Sequence, residues 1–304
     1  MSARITAMAA PGGEPLHEFS FGDSDFRRVQ ALIYRQAGIS LHAGKLSMVY
    51  SRLVRRLRVL GTADFKTYLD DLEAAPGSDP EWQEFVNALT TNLTSFFRES
   101  HHFPLLAQHL KALKAQAPLR IWCCAASTGE EPYSLAMTAM ETFGSLHPPV
   151  SIFATDIDTS VLATARAGIY GADAAEKLDP ALRARYFLRG RGSNDGKVCV
   201  RDELRKLIDF QPLNLLHESW SFKTKFHAVF CRNVMIYFDK PTQYGVLGRL
   251  ARHLTPDGLL FAGHSENFSF ARDLFELEGR TVYSLATASR GAARLRYTDL
   301  STAA

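Results

Sequence analysis

The stretch "CCAASTGEEPYS", Cys123–Ser134, carries the first residues placed for chemistry. It reads as the end of an apolar strand, a turn with a single glycine, Gly129, and a helix start marked by Pro132. Turns of this kind usually hold a nucleotide's phosphates, because backbone N–H groups and the helix dipole favour an anion there. Here Glu130 and Glu131 stand where a phosphate would sit, and the repeated glycines of a dinucleotide fingerprint are missing. The two acids either complement the helix dipole or face a cationic ligand. Another acid, Asp156, ends the next apolar run, "VSIFATDID", 27 residues after Gly129. From that position a carboxylate accepts hydrogen bonds from a ribose diol. A nucleoside with a ribose, no phosphate and a positive centre meets both conditions, and S-adenosylmethionine is such a molecule.

Other residues admit two readings each. Asn92 and Thr94 can offer polar contacts to a ligand's amino-acid end. Arg98 can grip a carboxylate as a fork or pair with its neighbour Glu99. Asn233, at the end of a later apolar run, can recognise a base edge or simply form a turn. Tyr237 can position a substrate or pack as an aromatic. "GHSEN", Gly263–Asn267, falls short of the hydrolase elbow GxSxG, and no histidine follows Ser265, whereas that fold orders its triad Ser, acid, His. These facts argue against an esterase. The four cysteines show no CxxC spacing, so neither a zinc site nor a disulfide framework is expected, no metal is assigned, and a reducing cytoplasm fits.

The elements that must position these residues follow from the pattern. With 304 residues the chain has room for one large domain or two. Its composition, 46% hydrophobic and 22% charged, is that of an ordinary globular protein, and the net charge of +3 does not announce a nucleic-acid binder. No apolar run approaches the ~18 residues of a membrane span, and the start "MSARITAMAAPGGEP" reads as frayed chain without a signal peptide. Residues 20–92 read as helices broken at Gly38, Gly61 and "APGSDP". From about 118, apolar runs alternate with helical stretches, which predicts a mostly parallel sheet with helices on both faces. Residues 184–212 read as short antiparallel strands inserted into it. Between Asp25 and Asp64 there is no acid but eight basic residues. A helical wheel over 45–60 puts Lys45, Arg52, Arg55, Arg56 and Arg58 opposite an apolar face of Leu46, Val49, Tyr50, Leu53, Leu57 and Leu60. That basic side is either a solvated face or a docking surface.

The segments "TNLTSFFRESHHFP", "ASTGEEPYS", "TDIDTSVL", "FCRNVMIYF" and "FAGHSENF" together resemble the chemotaxis receptor methyltransferases, the CheR family, from about residue 20 to 287. The resemblance implies an α/β fold: a Rossmann-like S-adenosylmethionine-dependent methyltransferase domain with an inserted small antiparallel β-subdomain, preceded by a small all-helical domain. The implied boundaries are a disordered start at 1–19, a helical domain at 20–90, a linker at 91–100, the methyltransferase domain at 101–287 with its insert at 184–212, and a tail at 288–304. It implies cofactor contacts at Asn92, Thr94, Arg98, Glu131, Asp156, Asn214, Leu215, Arg232 and Asn233, with Tyr237 beside the transferred methyl and Arg98 helping to position the substrate. The implied reaction esterifies glutamate side chains on the cytoplasmic helices of chemoreceptors, leaving S-adenosylhomocysteine. The implied partners are the receptor's methylated region, steered by Arg52, Arg55, Arg56 and Arg58, and the receptor's C-terminal tail peptide, docked at Arg189, Gly190 and Gly192. From sequence alone those glycines read first as turn residues, and the resemblance tips the balance toward docking. A cytoplasmic protein without membrane insertion or nucleic-acid partner is expected. A nucleic-acid-modifying methyltransferase using the 26–63 basic region, and a silent cofactor-binding adaptor, are the alternatives.

Overall fold

The computed structural model describes residues 18–286. Four helices come first: α1 (Asp23–Ala37), α2 (Leu46–Leu60), α3 (Phe65–Ala74) and α4 (Pro80–Leu89). Aspartates start two of them. Asp64 accepts from the Thr67 N–H at 2.7 Å, and Asp79 accepts from the Glu81 N–H at 2.8 Å with Pro80 in the first turn. Their apolar stripes close one core, in which Val29, Ile33, Val49, Leu53, Leu57, Phe65, Leu69 and Phe85 are fully buried.

A linker leads to α5 (His102–Ala112) and then to β1 (Leu119–Cys123), α6 (Glu130–Phe143), β2 (Val150–Asp156), α7 (Thr159–Ala167), β3 (Ile169–Gly171), α8 (Pro180–Tyr186), β4 (Phe187–Arg189), β5 (Lys197–Val200), α9 (Asp202–Arg205), β6 (Ile208–Pro212), β7 (Phe226–Cys231), α10 (Lys240–His253), β8 (Leu254–Ala262), β9 (Phe275–Gly279) and β10 (Val282–Leu285). The main sheet has seven strands in the order β6-β2-β1-β7-β8-β10-β9. Its first five are parallel, and β10 enters antiparallel between β8 and β9. Chain order reverses between β1 and β7, so a cleft opens beyond the ends of those two strands. One apolar layer, with Phe103, Leu106, Tyr133 and Leu162, covers one face of the sheet. The other face buries Trp122, Trp220, Phe226, Leu247 and Leu250. Among the described residues no helix is long and apolar enough to cross a membrane.

The α/β fold with a preceding helical domain and a small antiparallel sheet is as expected, but the insert is drawn differently. The small sheet has the order β3-β5-β4 and therefore begins at Ile169. Residues 208–212, expected in the insert, form β6 and pair in parallel with β2, from Ile152 opposite Ile208 to Asp156 opposite Pro212. The reason is pairing: β2 would otherwise expose a buried strand's edge, and Ile208–Pro212 covers it. At the start of the chain, Glu18 and Phe19, expected in the disordered stretch, are packed. Glu18 pairs with Arg58, and the Phe19 ring lies edge-on to Phe65. The rest of the expected start, 1–17, and the tail at 288–304 lie outside the described residues.

Candidate functional site

A cavity of about 360 Å³ lies between the helical domain and the ends of β1, β2 and β7. All ten residues expected around the cofactor and methyl group line it: Asn92, Thr94 and Arg98 from the linker, Glu131, Asp156, Asn214 and Leu215, then Arg232, Asn233 and Tyr237 beyond β7. The helical domain supplies Ala37, Ile39, His42, Lys45 and Leu89 to the same walls. Several hydrogen bonds hold the two parts together, three of them on the side of Tyr34–Ser40. The Tyr34 hydroxyl donates to Asp239 at 2.7 Å, the Asn214 side chain donates to the Gln36 carbonyl at 2.7 Å, and the Ser40 N–H donates to the Tyr237 carbonyl at 2.9 Å.

Asp156 sits at the end of β2, where burial holds its carboxyl well up, to about 6. Its two oxygens accept the N–H groups of Ser127 at 2.8 Å and Asp158 at 2.9 Å. These bonds fix the carboxylate and leave lone pairs for hydroxyl donors. Nearby, Ile157, Leu213, Leu215 and Leu89 give an apolar wall suited to a base. The β1–α6 turn brings no basic side chain, only Glu130 and Glu131. A fixed carboxylate at the end of β2, an apolar wall and a turn without basic side chains suit an adenosyl group better than a pyrophosphate.

Several expected residues act on the protein as well as facing the cavity. Asn92 donates its amide to Asp158 at 2.8 Å, and Asp158 in turn caps α7 through the N–H groups of Ser160 and Val161. Both side-chain groups of Asn214 are taken, by the Gln36 carbonyl and the Leu216 N–H. Asn233 takes the left-handed turn conformation, φ 57°, so its turn reading holds, while its amide reaches Glu99 at 3.2 Å. Arg98 does not pair with Glu99; it donates to the Leu93 carbonyl at 2.6 Å. The partner of Glu99 is Arg232, at 3.2 Å, and Arg232 also reaches Glu131 at 2.5 Å and donates to the Arg98 carbonyl at 2.6 Å. Burial disfavours the Arg232 charge, but Glu131 and Glu99 outweigh it and raise its pKa. Burial likewise opposes the Glu99 charge; the bond from His264 and the Arg232 charge overcome it and bring Glu99 down to about 2. Tyr237 packs against both the helical-domain core and the sheet core while lining the cavity, so its packing reading holds.

Sequence reasoning missed Glu266. Its carboxylate accepts four N–H groups, from Gly263 at 2.5 Å, Asn233 at 3.0 Å, Val234 at 3.0 Å and Met235 at 2.8 Å. It thereby folds the loop that carries Arg232 to Tyr237. The segment "GHSEN" was read as a failed hydrolase motif and, within "FAGHSENF", as part of the family resemblance, with no role for its acid; an acid following a strand-end glycine was the available signal.

The expected basic face of α2 is not a row of free cations. Arg56 pairs with Glu81 and lies 3.7 Å from Glu84, Arg58 pairs with Glu18, and Arg52 donates to the Leu89 carbonyl at 3.0 Å and to the Thr90 carbonyl. Arg55 is exposed and makes no ion pair among the described residues, and Lys45 is likewise exposed at the cavity's edge. In the small sheet Arg189 ends β4, while Gly190 sits in a tight turn where a Cβ would lie 1.9 Å from the Asn194 carbonyl oxygen. Gly192 has φ +60° and open space around it.

Residues 24–90 match the family described as "CheR methyltransferase, all-alpha domain", and residues 92–284 match "CheR methyltransferase, SAM binding domain". The chain belongs to the CheR methyltransferase family. It is 54% identical over 270 residues to "Chemotaxis protein methyltransferase 2" of Pseudomonas aeruginosa, covering 88% of this chain and 95% of that protein. It is 54% identical over 267 residues to "Chemotaxis protein methyltransferase" of Escherichia coli strain K12, covering 88% and 92%. The Borreliella burgdorferi protein of that name is 36% identical over 259 residues, covering 82% and 90%. The resemblance read from the motifs therefore holds: this CheR-family chain is a methyltransferase of chemotaxis with S-adenosylmethionine as its cofactor.

In this CheR-family cavity Asp156→Ala is expected to weaken S-adenosylhomocysteine binding by about 1.5–3 kcal/mol, the range for a lost charged hydrogen bond. In the parent protein the same affinity should fall as pH is lowered through about 6, because protonation removes the acceptor charge that the hydroxyls need. Calorimetry across pH 5–8 checks both; equal affinity in a folded Asp156→Ala protein would exclude the ribose assignment.

Proposed function

We propose that the protein esterifies glutamate side chains on the cytoplasmic helices of chemoreceptors, and that Asn92, Thr94, Arg98, Glu131, Asp156, Asn214, Leu215, Arg232 and Asn233 form its cofactor site. The observation that carries this reading is the lining of the cavity. Arg98, Lys45 and Tyr237 all contribute to it, and the reading requires no general base beside them. A glutamate acceptor needs none, since its carboxyl, with pKa ~4.3, is ionised at neutral pH. The cofactor supplies a methyl group on a positively charged sulfur. What this chain contributes is alignment and exclusion of water, worth about 7–11 kcal/mol when well arranged. Arg98 can hold an acceptor carboxylate, and Tyr237, wedged between the two cores, can press it into line. Incubation with labelled S-adenosylmethionine and a cytoplasmic receptor fragment tests the reading. Base-labile label on the receptor supports it; base-stable label, or label on nucleic acid, refutes it.

On this reading Lys45 and Arg55, exposed and without an ion pair among the described residues, steer the acidic receptor helix, with Arg52, Arg56 and Arg58 shaping the same face. Arg55→Glu should slow receptor methylation at low salt by about threefold or more with cofactor affinity unchanged, as initial rates at 20 and 200 mM salt would reveal. Arg56→Glu, by contrast, should lower stability through its contact with Glu81. For the receptor's tail peptide, β4 pairs only with β5 in the small sheet and exposes Leu188 at the free edge. Addition of a strand there would use Arg189 and the space beside Gly192. Leu188→Glu should abolish binding of the tail peptide in a titration and leave methylation of a tail-less receptor unchanged.

A further inference from the structure

On the far side of the Arg232 ion pair, Glu99, His101 and His102 each place one ligand atom within 4.8 Å of the others. His102 is wholly buried, and its Nε2 lies 3.1 Å from the Arg280 carbonyl oxygen. A carbonyl only accepts, so Nε2 carries the hydrogen and Nδ1 presents its lone pair. That Nδ1 is buried without a hydrogen-bond partner, 3.9 Å from Glu99 Oε2. An imidazole that donates one nitrogen to a backbone carbonyl and leaves the other bare has the arrangement of a metal-bound histidine. The His101 ring lies against that of His102, with centroids 4.1 Å apart. His264, 67% exposed, approaches from the other side with its Nδ1 2.9 Å from Glu99 Oε1.

We infer that Glu99, His101 and His102, with His264 as fourth ligand, form a zinc-binding site whose occupancy loosens the cofactor pocket. Imidazoles with one carboxylate suit Zn²⁺ rather than Mg²⁺ or Ca²⁺, which prefer all-oxygen shells. Tetrahedral zinc with nitrogen and oxygen ligands at about 2.0–2.2 Å needs its ligands closer together than they stand, which side-chain rotation of His101 and His264 can supply. The opposing term is the Arg232 guanidinium, 3.2 Å from Glu99. Arg232 has a second carboxylate, Glu131, at 2.5 Å. Zinc would therefore take Glu99 and leave Arg232 held by Glu131 alone, and the change reaches the cavity that Arg232 and Glu131 both line. The cysteine spacing that argued against zinc in the sequence does not bear on this set, which contains no thiol.

Titration of the full chain with Zn²⁺ against a chelating dye should give one ion per chain. His101→Ala and His264→Ala should each weaken that binding by about tenfold or more, and His102→Asn should abolish it. Where His102→Asn fails to fold, the other two variants decide. Saturating Zn²⁺ should lower S-adenosylhomocysteine affinity several-fold in the parent protein and not in His101→Ala, whose metal-free affinity stays at the parent value. These readouts do not depend on which acceptor is methylated. Zinc bound equally well by His101→Ala and His264→Ala, no stoichiometric binding, or cofactor affinity indifferent to zinc would each overturn the inference.

Discussion

Arg232→Met is expected to destabilise the protein by about 3–5 kcal/mol, the usual cost of removing one partner from a buried ion pair. The arginine's side chain is 1% exposed and sits between Glu131 and Glu99. Two carboxylates would be left buried and uncompensated, and the Arg98 carbonyl would lose a charged donor. The loss should appear as a lower urea midpoint with an unchanged slope. It should shrink as pH falls far enough to protonate Glu99, since a carboxylate held near 2 contributes stability above its unfolded pKa and loses it through about 2. A change below about 1 kcal/mol would mean that water, not Arg232, neutralises the acids.

The second large effect is expected at Glu266. Its carboxylate is buried, and burial raises its pKa although four N–H groups act in the opposite sense. Glu266→Ala orphans the N–H groups of Gly263, Asn233, Val234 and Met235 at once, where a single lost bond to a charged group costs about 1.5–3 kcal/mol. The loop that follows β7 would lose its shape, and with it the placement of Tyr237. We expect methylation at saturating cofactor to fall by about 100-fold or more, equivalent to about 2.7 kcal/mol. Glu266→Gln keeps an acceptor and the side chain's size, so it should recover part of the rate. A rate within about threefold of the parent in a folded Glu266→Ala protein would remove the residue from any part in catalysis.

How much of this was legible in the sequence depended on whether a residue's partner was local. The strand-end acids, Asp156 and Glu131, could be read because their positions follow from strand and helix periods alone. The pocket residues of the linker and of the loop after β7 were found by motif, and all of them line one cavity. The basic face of α2 was misread because a helical wheel contains one helix. The acids that neutralise Arg56 and Arg58 are Glu81 and Glu18, which lie outside α2. The small sheet's limits failed for the same reason. Alternation shows that Ile208–Pro212 can be a strand but not which edge it joins. Glu99 was noticed only as one possible partner of its neighbour Arg98, whereas it pairs with Arg232, 133 residues away.

The contact at Gly38 bears on exchange of parts between relatives. Its backbone is left-handed, φ +66°, and a Cβ there would stand 2.7 Å from Leu216 Cδ2 and 3.2 Å from the Phe238 ring. The first body of the molecule and the second thus touch through a bare backbone on one side and a bulky side chain on the other. A chimera that joins the helices of one relative to the catalytic body of another inherits this fit only if both halves of the contact travel together. An alanine at 38 facing a leucine at 216 would push apart the walls that Ile39 and Phe238 give to the cofactor cavity. Moving the helical domain between relatives would therefore require moving 38, 216 and 238 as one unit, however far they stand apart in the gene.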